Sequence, residues 1–124
     1  MSKRILIVDD SKTIRQQVAM PITEAGYEIV EAANGAEGLA QLGKNHDVAL
    51  IITDVNMPNM NGLEMIEAIH EGGKHSHVPI VMLTTETQKS LIARAKTAGA
   101  KAWVVKPFIP DQLVAAVRKL AGPP

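Results

Sequence analysis

The chain has 124 residues, a length suited to one domain around one core. Its 13 lysines and arginines balance 13 aspartates and glutamates, so bulk charge draws it neither to nucleic acid nor to a membrane. It has no cysteine, which excludes thiolate and disulfide chemistry.

Arg4 to Val8 is a short apolar run, as expected of a strand buried on both faces, and it ends in Asp9-Asp10. The run is too short for the core of a signal peptide, no small-residue cleavage site follows it, and no stretch reaches transmembrane length. A cytoplasmic protein is therefore expected. Ser11 caps a helix reaching about Ala25, with Ile14, Val18, Ile22 and Ala25 at helical spacing. Pro21 has no N–H for the Gln17 carbonyl, which predicts a kink; Gly26 ends the helix. Tyr27 to Ala32 reads as the second strand. Gly35 to Lys44 reads as a short helix with Leu39 and Leu42 turned inward. Val48 to Thr53 is the third strand and ends at Asp54. Asn56-Met57-Pro58-Asn59-Met60-Asn61-Gly62 is turn chemistry, its methionines serving as loop packing. Leu63, Ile66 and Ile69 mark the third helix, which Gly72-Gly73 stops. Val78 to Leu83 is the fourth strand, followed by Thr84. Gln88 to Ala98 is the fourth helix, closed by Gly99. Ala102 to Val105 is the fifth strand, ending in Lys106-Pro107. The fifth helix begins near Pro110-Asp111 and carries Leu113, Val114, Val117 and Leu120 on one face. Residues 121–124 read as a tail.

Five strands alternate with five helices. This is an α/β pattern: a single domain over residues 1–124, with a parallel sheet, helices on both faces and right-handed crossovers. Ligands of such sheets collect at the carboxyl ends of the strands. That rim receives Asp9, Asp10, Asp54, Thr84 and Lys106. Two carboxylates about 4 Å apart repel by roughly 4 kcal/mol at an effective dielectric near 20. A raised pKa or a divalent cation relieves the repulsion. An all-oxygen set on an open rim favours Mg²⁺, which keeps waters and accepts a phosphate as co-ligand. An aspartate neutralised in this way can attack phosphorus to give an aspartyl phosphate. Lys106 then supplies charge and Thr84 a hydroxyl donor.

Taken singly, these residues have plainer readings. Asp9-Asp10 can be a helix-capping pair, Thr84 a local backbone hydrogen-bonder, and the Asn56 and Glu86 side chains solvent-facing. His70, His75 and His77, around a Gly-Gly loop, read as a solvated loop. Two other functions are weighed against phosphoryl acceptance. A flavin-binding module of similar topology needs a Ser/Thr/Gly-rich phosphate loop after the first strand, where this chain places two carboxylates. A phosphohydrolase with an Asp-x-Asp loop needs a second acid where Ser11 stands.

The ordered set is more specific than any of its parts. Ile7-Val8-Asp9-Asp10-Ser11, Asp54-Val55-Asn56-Met57-Pro58-Asn59-Met60-Asn61-Gly62, Thr84-Thr85-Glu86 and Lys106-Pro107-Phe108 follow one another along the whole chain. The set resembles the receiver domain of two-component response regulators, most of all the stand-alone chemotaxis type with no output domain appended. The resemblance implies a flavodoxin-like sheet of order 2-1-3-4-5, an order known for that type. It implies that Asp54 is the phosphoacceptor. Asp10 and Asp54, with the backbone carbonyl of Asn56, would be direct Mg²⁺ ligands, and Asp9 would act mainly through a metal-bound water. Thr84 and Lys106 would contact the phosphoryl group, and Trp103 would be the switch aromatic. The Lys106-Pro107 bond would be cis. The implied partners are a histidine kinase and a downstream protein such as a flagellar motor switch or a phosphatase. Residues 89–119 would form the output face, with relay or phosphate-sink roles as alternatives. The implied molecule is a monomeric signalling phosphoacceptor that catalyses its own modification, rather than an enzyme with a distinct product.

Overall fold

The computed structural model describes residues 2–124; Met1 lies outside them. The elements are β1 (Arg4–Val8), α1 (Lys12–Glu24), β2 (Glu28–Ala32), α2 (Gly35–Lys44), β3 (Val48–Thr53), α3 (Gly62–Gly72), β4 (Ile80–Thr84), α4 (Lys89–Thr97), β5 (Ala100–Val105) and α5 (Pro110–Ala121). All strand pairings are parallel and the sheet order is β2-β1-β3-β4-β5, as the resemblance implies.

Strand alternation divides the core into two layers. Leu6, Val8, Ile51 and Met82 face α2, α3 and α4, where Leu42, Leu63, Ile66 and Ala95 meet them. Ile5, Ile7, Leu50, Ile52, Val81 and Leu83 face α1 and α5, against Val18, Ile22, Leu113 and Val117. Both faces of β1, β3 and β4 are therefore buried, which is why these strands read as unbroken apolar runs. Each such side chain contributes about 1.5–3 kcal/mol by leaving water. On the α4 side, the Arg94 guanidinium forks onto Glu67 of α3 at 2.8 and 2.6 Å.

Pro21 lies inside α1, and two local expectations, at Tyr27 and at the tail, need correction. Helix α1 runs unbroken through Pro21 to Glu24, capped at its start by the Ser11 hydroxyl on the Ile14 N–H. The turn beyond Pro21 is held by fully buried Ile22 and by the Ala25 N–H on the Pro21 carbonyl, so packing outweighs the one missing bond. Tyr27 precedes β2 instead of opening it. It is buried, and its hydroxyl donates to the Gly122 carbonyl. The tail is therefore fastened: Ala121 still belongs to α5, Lys3 Nζ donates to its carbonyl, and Pro124 lies beside Gly26.

Candidate functional site

Sheet register builds the acidic rim. Val8 of β1 pairs with Thr53 of β3, and the Asp54 N–H continues the ladder onto the Val8 carbonyl. Asp9 and Asp54 thus each stand one residue beyond a paired position on adjacent central strands. Asp10 completes the group. The three residues offer carboxylate oxygens that all lie within 4.8 Å of one another, with Asp9 and Asp54 buried and Asp10 exposed. Strand β5 delivers the cation: Thr84 pairs with Val105, and the Lys106 N–H donates to the Thr84 carbonyl. The Lys106-Pro107 peptide bond is cis.

Lys106 Nζ lies 2.8 Å from Asp9 Oδ2 and 3.3 Å from Asp54 Oδ2. Burial opposes its charge, but the hydrogen bond to Asp9 and the charges of Asp54 and Asp9 outweigh it and hold its pKa above the ordinary lysine value. Three carboxylates against one ammonium leave the cluster two charges negative. Other contacts fix the carboxylates. Asp9 Oδ1 accepts from the Ser11 N–H at 2.9 Å, and Asp54 Oδ1 accepts from the Val55 N–H at 2.7 Å. Asp10, exposed at the mouth, is the carboxylate of the three that Lys106 does not contact. A hard all-oxygen donor set with one open side fits a small divalent cation such as Mg²⁺.

Asp9, Asp10, Asp54 and Lys106 therefore meet as the sequence predicts. Thr84 is fully buried beside them, and its hydroxyl accepts from the Glu86 N–H at 3.2 Å. The half-buried Trp103 lies on the α4 side of the sheet, and its indole N–H donates to the Glu86 carbonyl at 2.9 Å. One residue, Glu86, thus joins the hydroxyl to the indole through its backbone. Asn56 is exposed at the rim, and its side chain donates to the Glu86 carboxylate at 2.9 Å. The two side chains read as solvent-facing are therefore paired with each other.

Two residues of the rim escaped the sequence reading. Arg15 Nη1 donates to the Asp9 carbonyl at 2.6 Å while its Nε holds Glu31 at 2.9 Å. The available signal was its place four residues after the Ser11 cap, on the same helix face. Gly62 reads as an ordinary turn glycine, yet a Cβ there would stand 1.9 Å from the Asp54 carbonyl oxygen.

Fold and rim define a class: doubly wound α/β domains that gather carboxylates and a lysine at the carboxyl edge of the sheet. The family profile described as response regulator receiver domain matches residues 5–118, and the chain belongs to that family. It is 39% identical over 120 residues to a Campylobacter jejuni chemotaxis protein CheY homolog, covering 96% of this chain and 92% of that one. It is similar to Vibrio cholerae CheY4, with a TM-score of 0.89 at 41% identity, covering 97% of this chain and 99% of that one. A chain from the Borrelia burgdorferi CheX–CheY–BeF3–Mg²⁺ complex matches with a TM-score of 0.86 at 26% identity, covering 94% of this chain and 87% of that one. Membership places the chain in two-component signalling, in a family of phosphoacceptors for which Mg²⁺ binding is typical. No helix among the described residues is long and apolar enough to cross a membrane.

Proposed function

We propose that the chain is a cytoplasmic response regulator that takes a phosphoryl group from a histidine kinase onto Asp54 and signals by binding another protein, most naturally in chemotaxis. The observation carrying this reading is the convergence of Asp9, Asp10 and Asp54 around the Lys106 ammonium. The names of the similar chemotaxis proteins support the pathway.

A lone pair of the Asp54 carboxylate forms the new O–P bond as the donor's N–P bond breaks and its electron pair returns to the histidine nitrogen. The Val55 N–H holds the carboxylate in orientation, and Lys106 neutralises the incoming phosphoryl oxygens. Asp10, Asp54 and the Asn56 carbonyl would hold Mg²⁺ directly. Asp9, already engaged by Lys106 and the Ser11 N–H, would act through a bound water. When bound, the cation supplies positive charge beside the phosphoryl group. The Mg²⁺ in the complex of the similar Borrelia chain supports this choice of ion.

Asp10→Ala is expected to abolish Mg²⁺ binding, because it removes the exposed charge at the mouth of the rim. Titrating Mg²⁺ against the fluorescence of Trp103, the chain's single tryptophan, measures this directly. Equal affinity in both proteins defeats the metal assignment.

Output would run along the Thr84–Glu86–Trp103 path. Phosphorylation draws the Thr84 hydroxyl away from the Glu86 N–H, and the β4–α4 loop and Trp103 repack inward, altering the face formed by residues 89–119. Moving such an equilibrium from mostly off to mostly on takes about 5.5 kcal/mol. Charge-assisted bonds from Thr84 and Lys106, each worth about 1.5–3 kcal/mol, supply a sum of that size. Thr84→Ala is therefore expected to accept phosphate yet lose most of the coupling. Iodide quenching of Trp103, with and without Mg²⁺ and beryllofluoride, reads it. An equal response in Thr84→Ala and wild type rules the path out.

A further inference from the structure

The donors that hold the rim's carboxylates come from Ser11, Val55 and Lys106, and all of them go to Asp9 or Asp54. The place of Asp10 is set instead through its backbone. A peptide unit is planar, so whatever fixes the Asp9 carbonyl also fixes the nitrogen and Cα of Asp10.

That carbonyl is gripped by helix α1. Arg15 Nη1 donates to it at 2.6 Å, while Arg15 Nε donates to the Glu31 carboxylate of β2 at 2.9 Å. The guanidinium is a rigid planar fork, so two bonds to partners on different elements fix both its position and its tilt. The Arg15 side chain is 15% exposed and that of Glu31 47%, and an ion pair with so open a partner adds little stability by itself. Its effect is on direction. The Asp9 N–H is held at 3.1 Å by the carbonyl of Ala32, the neighbour of Glu31. Both polar groups of the Asp9 backbone are thus anchored on the end of β2, the N–H directly and the carbonyl through Arg15.

We propose that Arg15, braced by Glu31, is the positioning residue that aims Asp10 at Mg²⁺. The inference rests on the reading of the rim as a Mg²⁺ site. Charge and position predict opposite signs for the loss of Arg15. A guanidinium beside the rim repels a cation, so by charge alone its removal tightens binding. By position, its removal frees the Asp9–Asp10 peptide and weakens binding.

The test titrates Mg²⁺ against Trp103 fluorescence in Arg15→Met, Arg15→Lys, Glu31→Ala and the Arg15→Met/Glu31→Ala double variant. Arg15→Met is expected to bind about tenfold more weakly, the size of effect seen when a partner behind a metal ligand is lost. Arg15→Lys should recover part of that loss. Glu31→Ala, on an open side chain, should weaken binding by less, and the double variant should bind no worse than Arg15→Met alone, because Glu31 acts through Arg15. In metal-free protein the Asp10 amide proton–nitrogen NMR signal should move in both single variants, Arg15→Met and Glu31→Ala. The inference is overturned if Arg15→Met binds Mg²⁺ as tightly as wild type or more tightly, if the two losses add, or if the Asp10 amide stays in place. Wild-type affinity in Asp10→Ala would instead overturn the metal reading itself.

Discussion

Asp54→Asn is expected to take no phosphoryl group from acetyl phosphate or from a histidine kinase, with labelling falling to background. The neutral amide lacks the anionic lone pair that attacks phosphorus. Wild-type protein should carry a label that hydroxylamine cleaves, as an acyl phosphate requires. Lys106→Ala separates charge from nucleophile. It keeps Asp54, so it should label, but slowly, because the phosphoryl oxygens lose the ammonium now 3.3 Å from Asp54 Oδ2. Normal labelling of Asp54→Asn would put the acceptor elsewhere. Running both variants against a panel of purified histidine kinases would also identify the donor.

Gly62→Ala is expected to damage both stability and the site. The new Cβ would stand 1.9 Å from the Asp54 carbonyl oxygen, 2.9 Å from its carbonyl carbon and 3.2 Å from Thr53 Oγ1. The Thr53 hydroxyl already donates to that carbonyl at 2.9 Å, and the Gly62 N–H holds the Val55 carbonyl at 2.9 Å. The obstruction is therefore backbone, which has little room to yield. Overpacking costs about 1–3 kcal/mol, and a backbone clash lies at or above the top of that range. For a domain of this length that lowers Tm by about 10 °C. Relief requires the β3–α3 loop to move and carry Asp54 with it, so phosphoryl acceptance should fall as well. Wild-type melting and labelling in Gly62→Ala would show that the loop adapts without disturbing the rim.

Much of the rim was legible because parallel strands obey a simple geometry. Apolar runs ending in Asp9, Asp54 and Lys106 must deliver those side chains to one edge, whatever the loops do. Loop conformation carries no comparable rule. The Glu86 link between Thr84 and Trp103 depends on the path of the β4–α4 loop, and no spacing announces it. Gly62 was hidden because a glycine before a helix is ordinary; only the nearby Asp54 carbonyl makes it indispensable. Pro21 removes one bond of α1, yet the helix continues to Glu24, where the buried Ile22 packs its last turn into the core.

Lys3 and Ala121 are joined by a hydrogen bond, Tyr27 holds Gly122, and Pro124 rests beside Gly26. Lys3 and residues 121–124 thus lie together at one pole, beyond the amino ends of the strands and away from Asp54. A short peptide joining Ser2 to Pro124 would close the backbone into a ring without stretching across the molecule, which favours circular permutation at an exposed loop. A fluorophore, a surface anchor or another domain attached beside Ser2 or Pro124 would trail from the amino-end pole of the sheet and leave the carboxylate edge open to solution.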